Sequence, residues 1–65
     1  MWKLIGCRKE RGLSQQDLAD MLEISRQNYM EKENGKKKFS VEEAIKVGNL
    51  YKKTVEELFK DVLKD

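Results

Sequence analysis

The chain has 65 residues, the size of one small domain with a single core, and its 38% hydrophobic and 40% charged residues favour a folded, non-membrane protein. One cysteine and no histidine exclude an internal disulfide, a Cys/His zinc site and a Cys/His nucleophile pair. The net charge is only +2, but residues 26–38 hold five basic and two acidic side chains, so the positive charge is concentrated in the middle of the chain.

Hydrophobic spacing predicts five helices, and the breaks between them fall at glycine or at serine and threonine. The first covers about residues 2–11 and is followed by Gly12, which can end it in a left-handed conformation. Its apolar face holds Trp2, Leu4 and Cys7. Without a histidine to activate the thiol, Cys7 is interpreted as a small buried hydrophobe.

The second helix covers about residues 15–22, and Ser14 with Asp17 three residues later is typical of its start. Its apolar stripe consists of Leu18, Met21 and Leu22, with the small Ala19 beside it. After a break at residues 23–25, Ser25 caps a third helix of about residues 26–34, which Asn34-Gly35 closes. Only Tyr29 and Met30 are apolar in that helix, so we expect a largely polar, exposed surface.

A capping box predicts the start of each of two further helices. Ser40 with Glu43 predicts a helix of about residues 41–51, and Thr54 with Glu57 predicts a last helix after it. The predicted apolar residues of these two helices are Val41, Ala44, Ile45, Val47, Leu50, Tyr51, Val55, Leu58, Phe59, Val62 and Leu63. The fold class is therefore all-α, and no repeat or linker marks a domain boundary.

Helices two and three have the pattern of a helix-turn-helix, in which an exposed polar helix reads DNA. Arginine pairs with guanine, and glutamine and asparagine pair with adenine. Arg26, Gln27 and Asn28 stand at the helix end that would enter the major groove, and Glu31 can accept from a cytosine amine. On composition alone, the same residues could form an ordinary solvated helix face, and residues 36–38 an ordinary solvated loop.

The chain resembles the phage repressor and Cro, or xenobiotic-response-element, family of helix-turn-helix proteins. The residues that carry the resemblance are Arg8, the run from Gly12 to Ala19, Ile24-Ser25-Arg26-Gln27, Glu33-Asn34-Gly35-Lys36, the segment beginning Ser40-Val41-Glu42, and the segment Thr54 to Phe59. The resemblance covers nearly the whole chain and implies a compact five-helix lambda-repressor-like DNA-binding domain.

The resemblance also implies roles for individual residues. Base contacts are expected from Arg26, Gln27, Asn28 and Glu31. DNA-backbone contacts are expected from Arg8, Ser14, Gln15, Ser25, Asn34, Lys36, Lys37 and Lys38. Arg8 and Glu33 are expected to form an ion pair that joins the first helix to the third.

Four residues depart from the family pattern. Glu23 stands where glycine is preferred and would be strained in a left-handed conformation. Lys32 replaces an apolar residue, so we expect its stem to be buried and its ammonium to reach solvent. Phe39 stands where the family commonly has proline, and Gly48 where it commonly has alanine. These two departures concern the geometry of the loop before helix four and of helix four itself.

The sequence predicts a non-enzymatic, sequence-specific transcriptional regulator, a Cro-like repressor from a phage or bacterium. We expect one domain over residues 1–65, because that length suits a single core, and a cytoplasmic location, because the start lacks the apolar stretch of a secretory signal. It would bind a pseudo-palindromic double-stranded DNA operator as a homodimer through helix five and the loop before it, with no cofactor, small-molecule ligand or membrane. The alternative is a protein-interaction adaptor or antitoxin module on the same fold.

Overall fold

The structure, a computed structural model, describes residues 2–59 and contains five helices in that range. They are α1 (Trp2–Glu10), α2 (Gln15–Leu22), α3 (Arg26–Glu33), α4 (Val41–Tyr51) and α5 (Val55–Leu58). The predicted all-α fold is confirmed, and the first four helices agree with their predicted bounds within one residue at each end. The predicted continuation of helix five through Val62 and Leu63 lies outside the described residues. Within residues 2–59, no helix is both long enough and apolar enough to cross a membrane.

Side-chain caps fix the starts of α2, α4 and α5, as their sequences predict. In each of these helices the cap oxygen accepts a hydrogen bond from the N–H three residues later, and the acidic side chain at that position accepts one from the cap N–H. The pairs are Ser14 with Asp17, Ser40 with Glu43, and Thr54 with Glu57. Both bonds satisfy N–H groups that a helix start leaves without partners, so these starts are well defined.

The turn between α2 and α3 depends on Glu23 in the left-handed conformation, with φ 59° and ψ 42°. The following Ile24 N–H donates to the Ala19 carbonyl at 3.0 Å, which closes the end of α2 and redirects the chain into α3. A side chain in this conformation costs about 1–2 kcal/mol. The strain expected from Glu23 is therefore present, and the helix-turn-helix geometry is retained despite it.

The core is built from residues of every helix. Its buried hydrophobic members are Leu4, Cys7, Leu18, Ala19, Leu22, Tyr29, Ala44, Val47, Tyr51, Leu58 and Phe59. Tyr29, the only fully buried apolar residue of α3, anchors that helix against the core. Cys7 is buried as a free thiol, as expected. The packing of α2 on α3 leaves one side of α3 open to solvent.

Four residues predicted on apolar helix faces are instead exposed. Trp2 is 83% exposed, Val41 77%, Ile45 50% and Val55 37%. The apolar positions of α4 and α5 span a wider arc than the described core covers, so periodicity alone assigned too many of them to the interior. Val41, Ile45 and Val55 lie together and line a groove of about 320 Å³ whose walls also include Phe39, Ala44 and Phe59.

Phe39 lies in the loop between α3 and α4 and packs against one aromatic residue of α3 and one at the end of α5. Its ring packs edge-on against Tyr29 at a centroid distance of 6.2 Å and against Phe59 at 5.3 Å. Edge-to-face pairs of this kind are worth about 0.5–1.5 kcal/mol beyond the area they bury. A partly buried aromatic residue thus takes the position at which the family commonly has proline.

Helix α4 approaches the turn after it so closely at Gly48 that there is no room for a side chain. An ideal Cβ built on Gly48 would lie 2.9 Å from the Lys53 carbonyl oxygen, in the turn that follows α4. The other helical glycine, Gly6 of α1, would meet nothing within 4 Å. Helix four nevertheless runs without interruption from Val41 to Tyr51.

We expect Gly48→Ala and Gly6→Ala to change stability in opposite directions. Alanine in a helix interior normally stabilises by about 0.5–1 kcal/mol, which is the gain expected at Gly6. At Gly48 the clash with the backbone should outweigh that gain, with a net loss of about 1 kcal/mol or more. Thermal unfolding should show Tm rising for the Gly6 variant and falling for the Gly48 variant, and a rise in both would contradict the close approach.

Candidate nucleic-acid interface

A buried polar network fixes α3 relative to α1 and α2. The carboxylate of Glu33, at the end of α3, is 1% exposed and accepts hydrogen bonds from three side chains. Arg8 of α1 donates from Nε at 2.9 Å and from Nη2 at 3.2 Å, Tyr29 donates from its hydroxyl at 2.7 Å, and Gln15 donates from Nε2 at 3.2 Å. The Arg8–Glu33 ion pair that the resemblance implies is therefore one part of a larger network.

The remaining nitrogen of Arg8 is also engaged inside the protein. Its Nη1 donates to the Leu13 carbonyl at 2.9 Å, and the residue is 9% exposed. The guanidinium thus joins α1, the loop before α2 and the end of α3, and hydrogen bonding to Glu33 raises its pKa. This geometry favours a structural role for Arg8 over the expected contact with phosphate.

Burial alone would raise the pKa of Glu33, but the hydrogen bonds from Arg8, Tyr29 and Gln15 outweigh it and leave that pKa below its ordinary value. Glu33 is therefore ionised at neutral pH. Burial and the bond to Glu33 raise the pKa of Tyr29, so its hydroxyl stays protonated and keeps donating. The buried Glu33 carboxylate is thus paired with the Arg8 guanidinium and also accepts hydrogen bonds from Tyr29 and Gln15. A buried ion pair needs such additional hydrogen bonds to offset its desolvation.

Lys32 differs from its expected arrangement. Its side chain is only 12% exposed, and its ammonium pairs with the Glu43 carboxylate instead of reaching solvent. The same carboxylate oxygen accepts the Ser40 N–H at 2.9 Å in the capping box of α4. Burial opposes the charge of Glu43, but the bond from Lys32 and those from Ser40 hold its pKa below the ordinary value. Lys32 therefore ties α3 to the start of α4.

The four expected base-contact residues do not have equal exposure. Arg26 and Gln27 are exposed at the start of α3, whereas Asn28 and Glu31 are partly buried. The Asn28 Oδ1 is buried and has no hydrogen-bond partner within the described part of the chain. Glu31 Oε1 lies 3.0 Å from the Lys37 ammonium. The structure thus presents Arg26 and Gln27 most openly to a partner.

The expected backbone-contact residues lie at the start of α2 and at both ends of α3. Ser14 and Ser25 are exposed N-caps of α2 and α3, and Gln15 is partly buried against Glu33. Asn34, Lys36, Lys37 and Lys38 are exposed in the segment after α3. Gly35, with φ 83°, allows the turn that brings the Lys36 N–H to the Glu31 carbonyl at 2.8 Å. The lysines are thereby held close to α3.

Sequence reasoning missed three contacts at this interface: Tyr29 with Glu33, Lys32 with Glu43, and Glu31 with Lys37. The first has a local signal, because residues four apart lie on the same face of a helix. The other two cross from α3 to later segments and leave no local pattern. Among residues 2–59, no group of three or more acidic or cysteine side chains is placed to hold a metal ion.

Comparison with curated proteins and with solved structures gave no significant match. A family model does match: residues 5–58 fit that of the helix-turn-helix family HTH_3, which covers all of α2 to α5 and most of α1. The packing of α2 on α3 through a three-residue turn agrees with that match. The chain therefore belongs to this helix-turn-helix family, of the Cro and phage-repressor type, whose five-helix domains bind DNA rather than catalyse reactions.

Proposed function

We propose that the chain is a sequence-specific transcriptional regulator, a Cro-like repressor that places α3 in the major groove of a pseudo-palindromic operator. The observation that carries the proposal is the contact of Glu31 with Lys37, because it holds the basic segment against α3 one helical turn from the exposed Gln27. Base-reading groups and phosphate-binding groups then lie on adjoining surfaces, which a helix-turn-helix requires.

In this proposal Arg26 and Gln27 are the principal base readers. An arginine reads guanine through O6 and N7, and a glutamine reads adenine through N6 and N7. Asn28 has its Oδ1 turned inward, so a base contact from it requires a change of rotamer on binding. We propose phosphate contacts for the exposed residues Ser14, Ser25, Asn34, Lys36 and Lys38, with Gln15 able to contribute from the edge.

The proposed regulator acts as a homodimer, because one short recognition helix covers too few base pairs for useful specificity. We place the dimer contact at the apolar groove of Val41, Ile45 and Val55, which keeps the start of α5 from the expected interface but replaces the loop before α5 with α4 and the loop before α4. The groove also borders Lys37 and Lys38, so it adjoins the proposed DNA surface. Two copies paired there would cover apolar side chains that a single described copy leaves exposed.

Gln27→Ala and Lys36→Ala should weaken DNA binding in different ways. Removing the base contact should cost about 1–3 kcal/mol on the preferred site and relax base preference at one position. Removing the phosphate contact should weaken all duplexes alike and reduce the salt dependence by about one counterion. Both are measured by binding titrations on matched and mismatched duplexes over a range of salt concentrations.

The preferred site comes from selection of bound duplexes out of a random DNA pool at about 150 mM salt. An enriched palindrome would establish a dimeric regulator. Failure to enrich any sequence, or an equal and uniform loss from both variants, would contradict base reading by α3. Negligible binding to random duplex even at about 50 mM salt would favour the adaptor or antitoxin alternative.

A further inference from the structure

Glu31 is bonded to the lysine segment through both its backbone and its side chain. Its carbonyl accepts the Lys36 N–H at 2.8 Å and the Lys37 N–H at 3.2 Å. Its carboxylate Oε1 lies 3.0 Å from the Lys37 ammonium. Glu31 therefore sets where Lys36 and Lys37 stand relative to the recognition helix.

Glu31 also faces Gln27 on the same side of α3. The two residues are four apart, so their side chains lie one turn from each other on the helix surface. The Lys37 ammonium holds the pKa of Glu31 below its usual range. The carboxylate is thus ionised and paired with the basic segment, and it lies within one helical turn of the Gln27 amide.

These contacts conflict with a direct base contact by Glu31. A carboxylate that reads cytosine must offer its oxygens to the base amine. Here one oxygen is paired with Lys37, whose side chain is 53% exposed while that of Glu31 is only 28% exposed. An unpaired carboxylate near phosphates would also be repelled, and the lysine pairing reduces that repulsion.

We propose that Glu31 is a positioning residue that orients the Gln27 amide toward its base and is itself held in place by Lys37. The proposal rests on the proposed function and replaces the expected base contact of Glu31. It makes Lys37 a determinant of specificity through Glu31, in contrast to Lys36, which would act on phosphate alone.

The test scores base preference at each position of the selected site for Gln27→Ala, Glu31→Ala and the double variant. We expect Glu31→Ala to lose roughly tenfold of the preference at the same base pair that Gln27→Ala relaxes. The double variant should lose no more than Gln27→Ala alone, because the two residues act as one unit. Loss at a different base pair, with additive effects, would show that Glu31 reads a base directly.

Two further variants separate positioning from general damage. Lys37→Ala should relax preference at the Gln27 base pair, whereas Lys36→Ala should leave every preference unchanged while lowering affinity. Glu31→Gln, which still offers an acceptor oxygen, should recover part of the preference lost in Glu31→Ala. Glu42→Ala is the matched control, since its carboxylate lies 3.7 Å from the Lys46 ammonium on α4, outside α3. Equal effects of Lys36→Ala and Lys37→Ala on preference would overturn the proposal.

An NMR titration of the free protein tests the contact without DNA. The side-chain amide signals of Gln27 should shift as Glu31 titrates, and Lys37→Ala should move that titration to higher pH. Unchanged Gln27 signals would overturn the proposal whatever the DNA data show. If the signals do shift but the protein enriches no DNA sequence, the proposed function fails and the positioning role fails with it, while the contact itself stands.

Discussion

Replacing Glu33 with alanine should lower the free energy of unfolding by about 3–5 kcal/mol, because it leaves the Arg8 guanidinium buried without its counter-charge. The change also removes the acceptor of the Tyr29 hydroxyl and the Gln15 amide. A 65-residue domain has a total stability of about 3–10 kcal/mol. The variant should therefore be largely unfolded at 37 °C, which denaturant titration followed by circular dichroism would show.

Two comparison variants make this prediction specific. Glu42→Ala removes an exposed carboxylate paired with Lys46 and should change stability by less than about 0.5 kcal/mol. Arg8→Met combined with Glu33→Met should destabilise less than Glu33→Ala alone, because no buried charge remains unpaired. A cost for Glu33→Ala as small as that of Glu42→Ala would mean that the network contributes little.

The same network gives stability a defined pH dependence. The pKa of Glu33 is below its ordinary value of 4.5 in the folded chain, so folding favours the ionised form. Its contribution is complete above about pH 4.5 and is lost as the pH falls through the folded pKa. The carboxyls of Glu43 and Glu31 are shifted in the same direction and add to that loss. Acid titration of stability should fall less steeply in a folded Glu33→Gln variant.

The helices could be predicted from the sequence because their first residues carry local capping signals. Ser14, Ser40 and Thr54 each stand three residues before the acid that completes a capping box, and all three boxes form. The position of Tyr29 in the core also follows from the sequence, since α3 offers few other apolar residues. The capping hydrogen bonds fix where helices begin, and the small number of apolar residues in α3 fixes which of its side chains enters the core.

The candidate site was less predictable because its contacts join segments far apart in sequence. Arg8 meets Glu33 across 25 residues, and only the family resemblance indicated that pair. Lys32 has a partner on α4, which its sequence neighbourhood does not indicate. The exposure of Val41 and Ile45 depends on where the other helices end, and the apolar spacing of α4 alone does not contain that information.

Ile45→Asp should abolish the proposed dimer and weaken binding to a two-half-site operator by about 100-fold or more. The side chain is half exposed on α4 and lines the apolar groove, so a carboxylate there leaves the monomer's core intact but opposes burial against a second copy. Affinity for a duplex with one half-site should stay within about twofold of the unchanged protein. Sedimentation of the protein with and without operator would measure the assembly directly.

Trp2→Asp is the matched control, because it adds the same charge outside the groove, at the most exposed large apolar residue among those the structure describes. It should leave both assembly and operator affinity unchanged if the groove is the dimer contact. Loss of the dimer in the Trp2 variant, with Ile45→Asp still dimeric, would move the interface to the outer face of α1 beside Lys53. Among the residues that the structure describes, these two faces carry the exposed large apolar side chains, Trp2 on one and Val41, Ile45 and Val55 on the other, so the pair of variants tests both of them.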